Sequence, residues 1–322
     1  MATRVASVRA FAKLNLSLLV LGKRADGYHE LRTVFQSISL SDRIQLDWTP
    51  GARWAVEATP EIDNNLAVRA AELLRDETGI RGRLKIHIEK HIPMGGGLGG
   101  GSSNAAAILL ALPTLAGINL PIPRLTGLAT GIGSDVPFFL DGGTALALGR
   151  GEELYPLPTP KQRLAVVVTP GISVSTPEAF RALKRGPLDA LTFTELSNRI
   201  KNLRGMMSAL GVSLVSGSPD WREFSENDFE TAVFERHPQL GEIRERLAQA
   251  GAMPARMSGS GSTLFGVFSS EKARQRALKT LDGARAVKFV SMREYRVAWL
   301  RALGEHKVGN AWPPHSRYAK SK

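Results

Sequence analysis

The chain contains no cysteine. That excludes a disulfide framework and thiolate metal sites, and it suits a reducing compartment, so a cytoplasmic location is expected. Charge is also missing locally. No Asp, Glu, Lys or Arg stands between Lys90 and Arg124, and no acid between Glu89 and Asp135. An uncharged run of that length could span a bilayer, but Gly, Ser, Asn and Pro interrupt it repeatedly. A buried loop and helix is the expected form, with no membrane partner. The only other leader-like segment, "RAFAKLNLSLLVLGKR", is broken by Asn15, lacks a small-residue cleavage site and alternates like a strand.

Acids are the minority overall, and the formal charge of +12 invites a nucleic-acid reading. The bases are spread along the chain, however. Only the end is concentrated: Arg301, Lys307, Arg317, Lys320 and Lys322 face Glu305 alone. With Gly, two prolines and no periodicity, residues 303–322 are expected to form a basic, disordered tail. An RNA-binding protein would leave the uncharged glycine-rich stretch unexplained, so no specific nucleic-acid partner is expected.

What is present is enough chain for two domains, and a hydrophobic fraction of 43% that can bury a substantial core. The first segment alternates, with Ala12, Leu14, Leu16 and Leu18 expected on one strand face. An Asp26-Gly27 turn and a second strand follow, a hairpin signal. "DRIQLDW", "WAVEAT" and "RLKIHIEKHIP" read as further strands, and "NNLAVRAAELLRDETG" as a helix opening on Asn65 and closing on Gly79. A helix is expected over 104–112 and another near 121–130. From residue 160 the pattern restarts with the buried strand "RLAVVVTP". Helices are expected in "STPEAFRAL", "FTELSNRIKNLRGMMSAL" and "ERHPQLGEIRERLAQAG", then a glycine turn into the strand "LFGVF", a helix "SEKARQRALKTL" and a strand "REYRVAWL". The order argues for an α+β fold of two domains, 1–159 and 160–302, with a cleft between them.

The stretch "IPMGGGLGGGSSNAAAILLAL" poses the functional question. Gly95, Gly97 and Gly100 satisfy the dinucleotide fingerprint, but the acid required about 20 residues later is absent. A Walker A loop fails too, because Gly101 stands where its Lys belongs. What remains is a loop that holds phosphate with main-chain amides alone, aided by the amino-terminal end of the following helix. That assigns Pro93, Met94, Gly95, Gly96, Gly97, Leu98, Gly99, Gly100, Gly101, Ser102 and Ser103 to nucleotide binding. His87 and His91 run from strand into loop and do not form a metal pair.

"PMGGGLGGGSSNAA" resembles the phosphate loop of the GHMP kinases, the galacto-, homoserine, mevalonate and phosphomevalonate kinases. "AKLNLSLLVLGKRADGYHEL", "GIGSDVPFF" and "ARMSGSGSTLFGVF" are similar to the remaining motifs, in the right order. The first of these narrows the resemblance to the branch acting on diphosphocytidyl methylerythritol in the non-mevalonate isoprenoid route. A homoserine or mevalonate-type kinase is the alternative. The resemblance implies the two-domain GHMP kinase fold with its active site in the interdomain cleft, ATP with Mg²⁺, and a monomer or homodimer. It implies that Asp135 takes the proton of the attacking hydroxyl and that Lys13, paired with it, is catalytic. Asn15 would bond the substrate near the reacting end. Tyr28 and His29 would stack on and bond a cytosine ring, with Phe180 closing the sandwich, and Asn65 and Lys90 would lie near adenine. The metal's ligands are left open, with phosphates, water and Ser103 as the candidates.

Overall fold

The computed structural model describes residues 2–161, 163–188 and 225–319. The helix expected over 193–210 lies outside them.

Two long strands organise the first domain. β1 (Arg4–Lys23) and β2 (His29–Pro50) pair antiparallel from Arg4 opposite Trp48 to Lys23 opposite His29. The turn between them closes on Gly27 at φ +85°, with Asp26 Oδ1 accepting the Tyr28 amide. The other edge of β2 is shared by β4 (Gly82–Glu89) and β5 (Thr144–Leu148). β3 (Ala55–Thr59) pairs parallel with β4, and β6 (Glu153–Leu157) pairs antiparallel with β5.

Helices α1 (Leu66–Thr78), α2 (Gly100–Ala116), α3 (Ile122–Ile132) and α4 (Phe138–Asp141) share one core with this sheet. α1 is capped as its sequence predicts: Asn65 Oδ1 accepts the Ala67 amide, and Gly79 takes the left-handed conformation at the far end. α2 is longer than the 104–112 expected, starting at Gly100 and running through Pro113. Ser103 to Leu115 are all buried, so packing on every side outweighs the poor helix propensity of the glycines and proline.

The second sheet has the order β10–β7–β9–β8: β7 (Leu164–Val168), β8 (Ala255–Met257), β9 (Leu264–Phe268) and β10 (Ala284–Lys288). α5 (Thr176–Ala182), α6 (Phe229–Arg236), α7 (Pro238–Gln249) and α8 (Glu271–Thr280) accompany it. A shared apolar cluster joins the two sheets, with Leu14, Leu16 and Leu98 meeting Val167, Phe265 and Phe289.

Three expectations need correction. "REYRVAWL" is not a strand but part of α9 (Met292–Leu303). Ser291 and Glu294 form a reciprocal capping box, and Tyr295, Trp299 and Leu303 repeat at four-residue spacing on its buried face. Nor does the second domain extend to residue 302. Val290, Tyr295, Trp299 and Leu303 belong to the first domain's core, so the chain crosses back before α9.

The tail, finally, is not disordered up to residue 319. β11 (Lys307–Val308) pairs with β12 (His315–Ser316). Ser316 Oγ donates to the Thr114 carbonyl at 2.5 Å, and Trp312 Nε1 to the Leu140 carbonyl at 3.2 Å. The Arg4 guanidinium covers the Tyr318 ring at 3.6 Å. Net charge and missing periodicity said nothing of these single aromatic and hydroxyl anchors. Deleting residues 304–322 should therefore cost roughly 2–3 kcal/mol and lower the melting temperature by about 5–10 °C in calorimetry. A tail without contacts would come off with the transition unmoved.

Candidate active site

β1 carries the polar residues of the site on an otherwise buried strand. Lys13 and Asn15 lie two residues apart and so share a face. The pairing with β2 slips between Asn15 and Ser17, leaving Leu16 as the extra residue of a bulge. That slip reverses the parity of the strand. Ala12, Leu14, Leu16 and Leu19 join the core between the sheets, whereas Leu18 and Val20 pack in the second domain. Leu18 is thus not on the face expected for it.

Lys13 is almost fully buried, and its ammonium has two partners: Asn15 Oδ1 at 2.6 Å and Asp135 Oδ2 at 3.2 Å. An unpaired ammonium there would cost several kcal/mol. Asp135 comes from the short loop between α3 and α4, and its side chain remains 34% exposed. The carboxylate thus has one side on the buried lysine and another open to a ligand. Asn15 is oriented in turn, its Nδ2 donating to Thr33 Oγ1 at 2.8 Å while Thr33 donates to the Ser17 carbonyl at 2.6 Å.

The glycine loop lies directly against this pair. The Lys13 amide donates to the Leu98 carbonyl at 3.0 Å. A Cβ on Gly99 would come within 2.7 Å of the Phe139 ring and 3.1 Å of Lys13 Cγ. From the second domain, the turn between β8 and β9 presses on the other side. A Cβ on Gly97 would stand 2.4 Å from the Ser258 carbonyl oxygen, and φ there is +75°. Ser258 Oγ donates to the Gly97 carbonyl at 3.4 Å and accepts the Asn15 amide at 3.2 Å. Only glycine satisfies both constraints at 97 and 99. Gly99 then opens α2, whose first-turn amides at Gly100, Gly101 and Ser102 have no intrahelical acceptor.

The loop separates two cavities, and Gly97 and Gly99 line both. The smaller, about 260 Å³, is walled by Pro93, Met94 and Gly95 through Gly101, with Asn65, Lys90 and Asn104. Of that lining, Asn65 Nδ2 and Asn104 Oδ1 are buried polar atoms without a hydrogen-bond partner, which fits a ligand's arrival; Ser102 and Ser103 do not line the cavity, although Ser103 Oγ is likewise buried and unpartnered. Lys90, which lines this cavity as expected of a residue near the nucleotide, also has a partner of its own. Its ammonium is held 2.5 Å from Asp42 Oδ2, while Asp42 Oδ1 accepts the amides of His91 and Ile92. Asp42 is fully buried, so Lys90 neutralises it and fastens the entry to the loop.

The larger cavity, about 770 Å³, holds Lys13 and Asp135 at its base and is lined from both domains. Tyr28, His29 and Phe180, the three rings expected around a base, all line it. His29 stacks on Phe180 at 4.4 Å, and Tyr28, half-exposed, has the Arg150 guanidinium at 4.7 Å. Burial, then the Lys23 charge, holds the His29 imidazole below its ordinary 6.5, so the ring is neutral at neutral pH. Among the described residues, six cationic side chains, Lys13, Lys23, Arg150, Arg181, Lys184 and Arg185, line this cavity with one carboxylate, Asp135.

Residues 65–143 match the model for the GHMP kinases N terminal domain and residues 219–285 that for the GHMP kinases C terminal domain. The 4-diphosphocytidyl-2-C-methyl-D-erythritol kinase of Solibacter usitatus (strain Ellin6076) is 47% identical over 320 residues, 98% of each chain. The chain belongs to that family of GHMP kinases. The enzyme of the same name from Pelotomaculum thermopropionicum is 42% identical over 85% of this chain and 93% of its own. A crystal structure of 4-(cytidine 5'-diphospho)-2C-methyl-D-erythritol kinase superposes with a TM-score of 0.70 at 37% identity, covering 88% and 98%. Homoserine kinase from Cytophaga hutchinsonii shares the fold, with a TM-score of 0.68 at 19% identity over 90% and 96%.

Sequence reasoning missed Arg150, Thr33 and Ser258. Each comes to the kinase's site from a distant part of the chain, and only Ser258 lay within a motif that had drawn notice. The cavity geometry makes Gly97→Ala informative. Left-handed strain and the clash with Ser258 together amount to a few kcal/mol, so ATP binding should weaken roughly 10- to 100-fold in titration calorimetry. Unchanged affinity would mean that the loop does not hold the nucleotide.

Proposed function

We infer that this kinase transfers the γ-phosphoryl group of ATP to the 2-hydroxyl of 4-diphosphocytidyl-2-C-methyl-D-erythritol, giving the 2-phosphate and ADP, in the non-mevalonate route to isoprenoid precursors. The observation that carries the reading is the Lys13–Asp135 pair, 3.2 Å apart at the base of the larger cavity, where Gly97 and Gly99 divide it from the nucleotide side.

The acceptor hydroxyl is a tertiary alcohol, a poor nucleophile. Asp135 accepts its proton as the oxygen forms a bond to the γ-phosphorus and the bond from that phosphorus to the β–γ bridging oxygen breaks. Lys13 pairs with that carboxylate at 3.2 Å and holds it in place. Asn15, fixed through Thr33, orients the hydroxyl end. The loop amides and the start of α2 meet the phosphates with fixed dipoles rather than mobile cations.

Mg²⁺ accompanies ATP and supplies neutralisation of the phosphate charge. Among the described residues no group of three His, Asp or Glu side chains stands ready for a metal. Ser103, whose buried hydroxyl has no hydrogen-bond partner, would be the protein group to contact it.

In the same cavity, Tyr28 with Arg150, and His29 with Phe180, offer stacking surfaces for a base. Neutral His29 has one donor and one acceptor for its edge. The cationic lining suits a diphosphate better than it suits homoserine, which carries its own ammonium. A panel of acceptors decides between the readings: turnover with the diphosphocytidyl substrate and none with homoserine or mevalonate is expected, and the reverse contradicts it. Among the described residues no helix is long and apolar enough to cross a membrane.

Asp135→Asn should lose roughly 10²- to 10⁴-fold in kcat while ATP affinity stays within a few-fold. Near-normal turnover in this variant would remove Asp135 from the proton-transfer step.

A further inference from the structure

Just before α6, the stretch Ser225–Asp228 runs beside β1 and forms a junction that the reaction chemistry above does not use. Leu18 N donates to the Glu226 carbonyl at 2.7 Å, and Asp228 N to the Leu18 carbonyl at 3.0 Å. Asp228 Oδ2 accepts the Val20 amide at 2.8 Å and Arg185 Nη2 at 3.0 Å. Between them sits Asn227, buried, with all of its carboxamide engaged. Nδ2 donates to the Met257 carbonyl at 2.7 Å and the Gly259 carbonyl at 2.8 Å, and Oδ1 accepts the Phe229 amide at 3.0 Å.

Those two carbonyls bracket Ser258. Its hydroxyl accepts the Asn15 amide and donates to the Gly97 carbonyl, and its own carbonyl is the atom that forbids a Cβ on Gly97. One carboxamide, on a segment whose backbone and Asp228 are bonded to the strand that carries Lys13 and Asn15, therefore ties the turn that presses on the glycine loop to that strand. A buried amide with both hydrogens and its oxygen satisfied has one low-energy placement. Aspartate has the same shape but places an oxygen against two carbonyl oxygens.

We propose that Asn227 is a positioning residue for phosphoryl transfer: through Ser258 it holds Gly97 where the terminal phosphates align with Asp135. The inference rests on the reading that the glycine loop carries the phosphates of ATP.

The test compares Asn227→Asp and Asn227→Ala in the full chain, using steady-state kinetics and the binding of AMP-PNP and adenosine. In the folded variants kcat should fall at least 30-fold and AMP-PNP affinity at least tenfold. Adenosine affinity should stay within twofold and the acceptor KM within threefold. Equal weakening of AMP-PNP and adenosine would mark a merely structural residue and overturn the proposal, as would kcat and AMP-PNP affinity within threefold of wild type. If neither variant folds, Ser258→Ala breaks the same link from its other end. The same split between AMP-PNP and adenosine supports the proposal, and its absence overturns it. Gly97→Ala separates the two levels. If it too binds AMP-PNP normally, the loop reading falls and takes this inference with it. If it loses binding while the Asn227 variants keep theirs, only this inference falls.

Discussion

The structure depends on one close approach of main chain to main chain, where Gly97 meets the Ser258 carbonyl with no room for a Cβ. In the proposed function a loop without lysine or arginine recognises phosphate by the direction of its amides, and direction requires that the loop be held. It is held from three sides. The Lys13 amide binds the Leu98 carbonyl, Phe139 abuts Gly99, and the Ser258 turn arrives from the second domain. The domains are therefore not independent halves meeting at a cleft. Their sheets share a core in which Leu98 of the loop packs with Phe265 and Val267 of β9.

The second constraint is the buried ammonium of Lys13. A strand at the centre of a core tolerates a cation only if its partners are fixed, and here each partner is fixed by another element. Asn15 leans on Thr33 of β2, and Asp135 is delivered by the loop ahead of α4. The bulge at Leu16 lets one strand serve two cores: Ala12, Leu14 and Leu16 before it and Leu19 after it pack between the sheets, whereas Leu18 and Val20 face the second domain's own core. Strand register, ion pair and loop thus form one arrangement, in which moving one part moves the reacting groups.

Much of this was legible in the chain itself, wherever local chemistry decides. Asn65 and Gly79 announce the ends of α1, alternation announces β4, and the clustered glycines can have few uses between a strong strand and a strong helix. The failures fall where distant contacts decide. Pro113 stops a solvent-exposed helix but not one buried on all sides. "REYRVAWL" has enough aromatic and branched residues to pass for a strand, and its helical nature is set by Ser291 and Glu294 ahead of it. Leu18 changes face because of a bulge that no pattern of period two contains. Lys90 lines the smaller cavity as expected, but that its charge also answers Asp42, 48 residues earlier, is set by the fold. The tail's basic residues suggested a solvated end, whereas Trp312, Ser316 and Tyr318 dock it against α4, α2 and the start of β1 respectively.

The most direct test of the account is a crystal structure of the kinase with a non-hydrolysable ATP analogue. The β- and γ-phosphate oxygens should lie about 3 Å from amides of the Gly97–Ser102 segment, with Asp135 on the acceptor side of the γ-phosphorus, in line with the bridging oxygen. A triphosphate seated away from that segment, or an Asp135 carboxylate turned from the γ-phosphorus, would contradict it.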